Sequence, residues 1–350
     1  MSGLRVVSAG ALSSLQDLGR HGWRHLGVPA SGVLDPEAMQ VANRLVGNRL
    51  DAPVLETFDG GLCLRAEGGD IRIALVGGLV AERRHSEGAE VLETWRSHLL
   101  AEGEELRVLG AIGERRCATV AVAGIRIARQ LGSAATYVRA GLGGLDGRNL
   151  STGDLIPATP ADRGRSEYRM AQVPPTAADG PIRLVAGPQD DHFAPSALTE
   201  LGSAEYRVAI EADRMGMRLN GPPLAHRDAR CREIVSDATV PGSIQVPGNG
   251  QPIVLLADGQ TAGGYPKIAT VITADLPRIA TLRPGSAVRF SWVDVRTAQS
   301  IARANASRLH ALLDTVIACS GAPLPDAAVL YRANLAGNAV NALDPRTWSS

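Results

Sequence analysis

The stretch DGQTAGGYPKIATVI (258–272) holds Lys267, the only lysine of the chain, among Asp258, Gln260, Thr261, Gly263, Gly264 and Tyr265. A compact ammonium at such a turn adds a point charge to a phosphate or carboxylate, or polarises a carbonyl. The backbone amides of Gly263–Gly264 offer an anion-binding nest beside it. Gln245, from GSIQVPG just upstream, adds an amide. The loop is not a Walker motif, because Ile268 follows the lysine where Ser or Thr is required. The competing reading is structural: the lysine caps a strand edge or pairs with Asp258 or Asp275. Spacing alone leaves both open.

Of the 36 basic residues, the other 35 are arginines. That bias follows GC-rich coding, which also favours Ala, Gly and Pro. A lysine kept against it marks a position where a guanidinium does not serve as well.

Three further polar clusters carry potential chemistry. SLQDLGRHGWRHLGVPASGVLDPEA (14–38) packs Asp17, Arg20, His21, Arg24, His25 and Asp35 into glycine-broken loops, which are either tight turns or a ligand cradle. His21 and His25 have the spacing of a helical metal pair, but Gly22 and Gly27 argue against a helix, and no metal is expected. GPQDDHF (187–193) follows a strand, and its Gln189, Asp190, Asp191 and His192 are ligand donors or an Asx-type turn. In EADRMGMRLNGPPL (211–224), Asp213 and Arg214 read first as a local ion pair.

Short β-like runs must position these clusters: 71–78, 105–111 and 117–128, then 181–188, 205–212, 242–248, 251–259 and 286–295. Strands so closely spaced, without long alternating helices, predict antiparallel barrels or sandwiches rather than a Rossmann sheet. Helices are few. Asp35–Pro36 and Gly47 bracket one whose apolar face is Ala38, Val41, Ala42 and Leu45. A second starts near 273–275, and the longest covers about 295–319. The expected organisation is a β-rich lobe over 1–150, a Pro/Gly-rich linker over 151–180, a second β-rich lobe over 181–320 and a C-terminal arm over 321–350.

Composition narrows the function classes. Charges balance at 36 against 36, which gives no footprint for nucleic acid or an anionic membrane. No apolar run reaches the length of a membrane span or a secretory signal, so a cytoplasmic protein is expected. Cys63, Cys117, Cys231 and Cys319 lie too far apart for a zinc site or a disulfide framework. The residues alone lead to a two-lobed β protein that recognises a small anionic or amide ligand.

The same motifs, SLQDLGRHGWRHLGVPASGVLD, ANRLVGN, GPQDDHF, DRMGMRLNGP, EIVSDATVPGSIQVPGNGQPIVLLADGQTAGGYPKIATVI and ADLPRIATLRPG, resemble the biotin-dependent carboxyltransferase family. This group is also called the allophanate hydrolase subunit 2 family. Its members include antagonists of the Kip inhibitor (KipA-like proteins) and the C component of 5-oxoprolinase. The resemblance runs from about residue 5 to about 295. It implies a mainly β fold of two cyclophilin-like β-barrel lobes with a few short helices. It also implies partners: a homologous, KipI-like B component and an A component of 5-oxoprolinase. In that setting ATP, with Mg2+, activates the lactam of 5-oxo-L-proline, which water opens to L-glutamate. The alternatives within the family are the carboxyltransferase component of a biotin-dependent urea or amide carboxylase, and a non-enzymatic binder of a histidine-kinase inhibitor. Under the hydrolase reading Lys267, Asp258 and Asp17 are the candidate catalytic residues. Arg20, His25, Arg214, Gln245, Gln260, Thr261, Gly263, Gly264 and Tyr265 are the candidate substrate contacts.

Overall fold

A computed structural model describes residues 2–113, 115–174 and 180–319. Residues Met1–Ile317 form one compact unit and Ala318–Ser350 another. The expected arm over 321–350 lies outside the described residues. The first unit is mostly β, as expected. Among the described residues, no helix is long and apolar enough to cross a membrane.

The first half is built from two antiparallel sheets. One orders the strands Leu155–Pro157, Gly3–Ala9, Leu62–Glu67, Glu105–Ala111, Leu79–His85 and Gly88–Leu92. The other runs Leu12–Gln16, Val54–Phe58, Cys117–Val122, Ile71–Val76, Arg96–Leu100 and Tyr168–Met170. Between them Leu4, Leu55, Leu64, Ile73, Leu106 and Val120 share one apolar core. Two of these strands fall in the segment expected to be a linker. Leu155–Pro157 pairs with Gly3–Arg5, and Arg169 with Arg96. Three-residue strands carry too little alternation to stand out from Pro/Gly-rich sequence.

The second half closes into a barrel of seven strands, in the order Ile182–Ala186, Lys267–Val271, Ser243–Gln245, Ile253–Leu255, Gly216–Asn220, Glu205–Ala212 and Ala287–Trp292. Closure is made by a parallel pairing of Ile182 with Phe290 and Leu184 with Trp292. Closing the sheet removes exposed edges. The barrel core reaches into the first half, because Leu34, Phe58 and Cys117 pack with Leu184, Val208 and Ile268.

Helix α1 (Pro36–Val46) forms as its signals require. Asp35 Oδ1 accepts the Ala38 N–H at 3.0 Å, Pro36 opens the first turn, and Gly47 ends it in a left-handed conformation at φ 74°. Its apolar face is buried with Val54, Ala74 and Ala121. Helix α2 (Pro195–Ser203) and the short α3 (Leu276–Ala280) flank the barrel sequence. Helix α4 (Val295–Asp314) shows the expected half-buried stripe through Ala298, Ile301, Asn305, Leu309 and Leu312. Only its far end is deeply packed, where Leu313 joins Met39 and Leu45 of α1.

Candidate functional site

Lys267 opens a barrel strand, and its position there is set by a register fault. Ser243 pairs with Thr270 and Ile244 with Ala269, but Gln245 pairs with Lys267, so Ile268 is skipped. Such a bulge turns a side chain away from simple in-out alternation. Lys267 and Ile268 are consequently both buried, at 1% and 0% exposure.

A buried ammonium requires a partner. Lys267 Nζ donates to Asp237 Oδ2 at 2.8 Å, and the Asp237 side chain is 48% exposed. Neither Asp258 nor Asp275, the carboxylates expected from sequence, fills this role. Asp275 is committed to Arg183 at 2.7 Å and Arg278 at 3.2 Å. Asp258 takes Arg214 on both oxygens, at 3.0 and 3.2 Å.

Gln189 fixes the pair from the side. Its Nε2 donates to Asp237 Oδ2 at 3.0 Å, while its Oε1 accepts the Lys267 backbone N–H at 3.2 Å. The turn carrying Gln189 approaches closely because residue 187 is glycine. A Cβ there would collide with the Lys267 carbonyl. Below the lysine, Gln260 Nε2 donates to Gln245 Oε1 at 3.0 Å. Gly263 closes over this amide, since a Cβ would stand 2.5 Å from Gln245 Nε2.

The Asp237 carboxyl lies below the usual range, first because Lys267 donates to it and then because Gln189 does. A depressed pKa means the ionised pair persists above it and is lost only as pH falls through it. Ligand binding that depends on the Lys267–Asp237 pair is therefore expected to be flat from neutrality down to about pH 4, the ordinary aspartate value. It should weaken below that value, as a titration of binding against pH would record.

The structure brings Lys267, Gln245, Gln260, Gly263 and Tyr265 together. Tyr265 offers its carbonyl to Gln245 Nε2 at 3.5 Å and leaves its ring exposed. Thr261 supports the rim by accepting the Thr239 N–H at 3.1 Å. The expected Gly263–Gly264 nest is not formed. Neither glycine has the positive φ that a nest alternates with αR, and Gly263 instead pairs with Asp237 in a two-residue ladder.

The other candidates belong to a buried framework. Asp17 accepts from Ser133 Oγ at 2.6 Å, Ala134 N at 2.7 Å and Gly19 N at 2.8 Å. Arg20 donates to the carbonyls of Ala135 at 2.6 Å and Gln130 at 3.4 Å. Arg214 does not pair with its neighbour Asp213, which instead accepts from Met215 N and Gly216 N. Its guanidinium meets Glu56, Asp258 and the Gly32 carbonyl, joining the two halves. Burial opposes that charge, but Glu56 and Asp258 outweigh it and raise the Arg214 pKa. With their oxygens so bound, Asp17 and Asp258 are poor candidates for a free base. His25 is exposed on the turn Arg24–Leu26, and His21 Nε2 lies 3.0 Å from the Leu18 carbonyl.

Asp237, Gln189 and Arg24 are the residues whose roles sequence reasoning did not assign. For Asp237 a usable signal existed, since a lone buried lysine demands a carboxylate and its motif supplies one in EIVSDATVPG.

The family model described as "Carboxyltransferase domain, subdomain A and B" matches residues 26–292. The chain belongs to this family. Among other carboxyltransferase-domain proteins it is 36% identical to the 5-oxoprolinase C subunit of Escherichia coli (strain K12) over 287 residues, covering 82% of this chain and 90% of that one. It is 33% identical to the protein of the same name from Haemophilus influenzae over 301 residues, covering 86% and 94%. A "Urea amidolyase" of Lachancea kluyveri is 27% identical over 336 residues, but this chain spans only 18% of it. Among solved structures, TTHA0988 superposes with a TM-score of 0.72 at 35% identity. The match covers 83% of this chain and 56% of that one, so this chain spans little more than half of TTHA0988. The Kluyveromyces lactis urea carboxylase, at 24% identity and a TM-score of 0.78, covers 91% of this chain and 30% of that one and shares the fold.

Proposed function

We propose that this carboxyltransferase-domain protein is the C component of a multi-subunit 5-oxoprolinase, which opens 5-oxo-L-proline to L-glutamate with ATP. One observation carries the reading: the two 5-oxoprolinase relatives match along 90% and 94% of their length, whereas the urea amidolyase match is confined to 18% of that chain. The chain then works in the cytoplasm beside a homologous B component and an A component.

The Lys267 cluster suits a lactam. Lys267 and Asp237 together are neutral, and the ammonium stabilises charge that develops on a carbonyl oxygen as its amide is attacked. Gln245 and Gln260 present amides that recognise another amide. Asp237, half exposed, orients water or accepts the lactam N–H. ATP and its Mg2+ belong in this reading to the complex as a whole. Gly263 and Gly264 make no backbone cradle for a phosphate, and the lysine charge is already matched by Asp237.

The test is purification of the chain with the products of its neighbouring genes, followed by an assay of ATP-dependent glutamate release from 5-oxo-L-proline. Release only when this chain is present is the expected result. Full release without it overturns the reading, as does carboxylation of urea with a biotinylated carrier in place of lactam cleavage.

A further inference from the structure

Arg24 is a half-buried cation without an anion. Its Nη2 donates to the Thr239 carbonyl at 2.6 Å, and its Nη1 is buried with no partner. Among the described residues it takes part in no ion pair. Only Arg20 and Arg24, of the described arginines with a clear shift, have their pKa lowered, in both cases by burial. For Arg20, the charges of Asp17 and Asp258 oppose that effect; for Arg24 no carboxylate does. Withdrawing a guanidinium from water without a counter-charge is costly, so such a group is a standing receptor for a planar anion.

Its location ties it to the lysine cluster. The turn Arg24–Leu26 is pinned from behind by Trp23, whose Nε1 donates to the Leu131 carbonyl at 3.1 Å. Thr239, on which Arg24 rests, also holds Gln260 through its hydroxyl and Thr261 through its N–H. Asp237, the partner of Lys267, lies two residues earlier on the same extended segment, about 7 Å along the chain. The two cations of the site therefore differ in kind. Lys267 is neutralised internally by Asp237, and Arg24 is left for the ligand.

We propose that Arg24 is the carboxylate-binding residue of this site and selects a lactam bearing a carboxylate on the carbon next to its nitrogen. This rests on the 5-oxoprolinase reading, since urea has no carboxylate for Arg24 to hold. In 5-oxo-L-proline the carboxylate and the lactam amide stand side by side, as the Arg24 guanidinium and the Gln260–Lys267 amide-binding cluster do across Thr239. A guanidinium grips the carboxylate through two parallel N–H donors, which the point charge of a lysine does not reproduce.

The experiment is calorimetric titration of the purified complex with 5-oxo-L-proline and, separately, with its neutral carboxamide, using the natural chain, Arg24→Gln and Arg24→Lys. The natural complex should bind the acid at least about tenfold more tightly than the carboxamide. Arg24→Gln should weaken the acid by about 10- to 100-fold and leave the carboxamide unchanged. Arg24→Lys should recover part of the loss, which also shows that the turn still folds. Equal binding of acid and carboxamide by the natural complex, unchanged acid binding by Arg24→Gln, or an equal loss for both ligands overturns the assignment. Glutamate release from the same samples separates the two ideas. Selective binding without turnover defeats the hydrolase reading alone, and turnover indifferent to Arg24→Gln defeats the Arg24 assignment alone.

Discussion

Arg214→Met is expected to destabilise the protein by about 3–5 kcal/mol, the usual cost of removing one partner from a buried ion pair. The side chain of Arg214 is 6% exposed, and those of its carboxylates Glu56 and Asp258 are 1% and 9% exposed. Without the guanidinium, two like charges face each other out of reach of water. Glu56 keeps one donor, the Leu34 N–H at 2.7 Å, and Asp258 keeps none among its side-chain contacts with the first half. A loss of this size is a large fraction of the 5–15 kcal/mol that holds an ordinary domain together. It should appear as a lower urea midpoint with little change in slope. The double change Glu56→Gln with Arg214→Met should recover part of it, because the second substitution removes a charge the first had orphaned. A loss below about 1 kcal/mol for the single change would show that the network does not bind the halves together.

That network was hidden in the sequence for a reason that applies elsewhere in the fold. Asp213 and Arg214 are neighbours in the chain, yet a turn sends Asp213 to cap Gly216 while Arg214 reaches Glu56, 158 positions away. Glu56 itself lies in Val54–Phe58, whose five residues are all buried, so the alternation that marks a half-exposed strand is missing. By contrast, α1 was legible from its caps alone, because Asp35, Pro36 and Gly47 act through local backbone geometry. The barrel strands were legible as elements but not as a closed ring, since the Ile182–Phe290 pairing joins residues far apart in sequence. Lys267 was legible by rarity. Its partner was not, because Asp237 arrives on a two-residue ladder, Asp237–Ala238 against Ala262–Gly263, too short for any periodicity.

Lys267→Met is expected to behave in the opposite way, with little loss of fold and a large loss of function. Methionine has a similar length and suits a site at 1% exposure. The carboxylate it leaves behind, Asp237, is already half exposed and returns to water, so no buried charge is orphaned as it is in Arg214→Met. Turnover of 5-oxo-L-proline by the reconstituted complex should fall by about 10²- to 10³-fold, the range seen when one donor to a developing oxyanion is removed. The fall should lie in kcat rather than KM, because the interaction strengthens only as charge builds on the carbonyl. Lys267→Arg should not restore it: the bulge admits one linear side chain between Asp237 and Gln189, and a planar fork does not fit the same donor position. If Lys267→Met kept full turnover while remaining folded, the lysine would be a strand-edge brace for Asp237. The chemistry would then have to lie elsewhere in the complex.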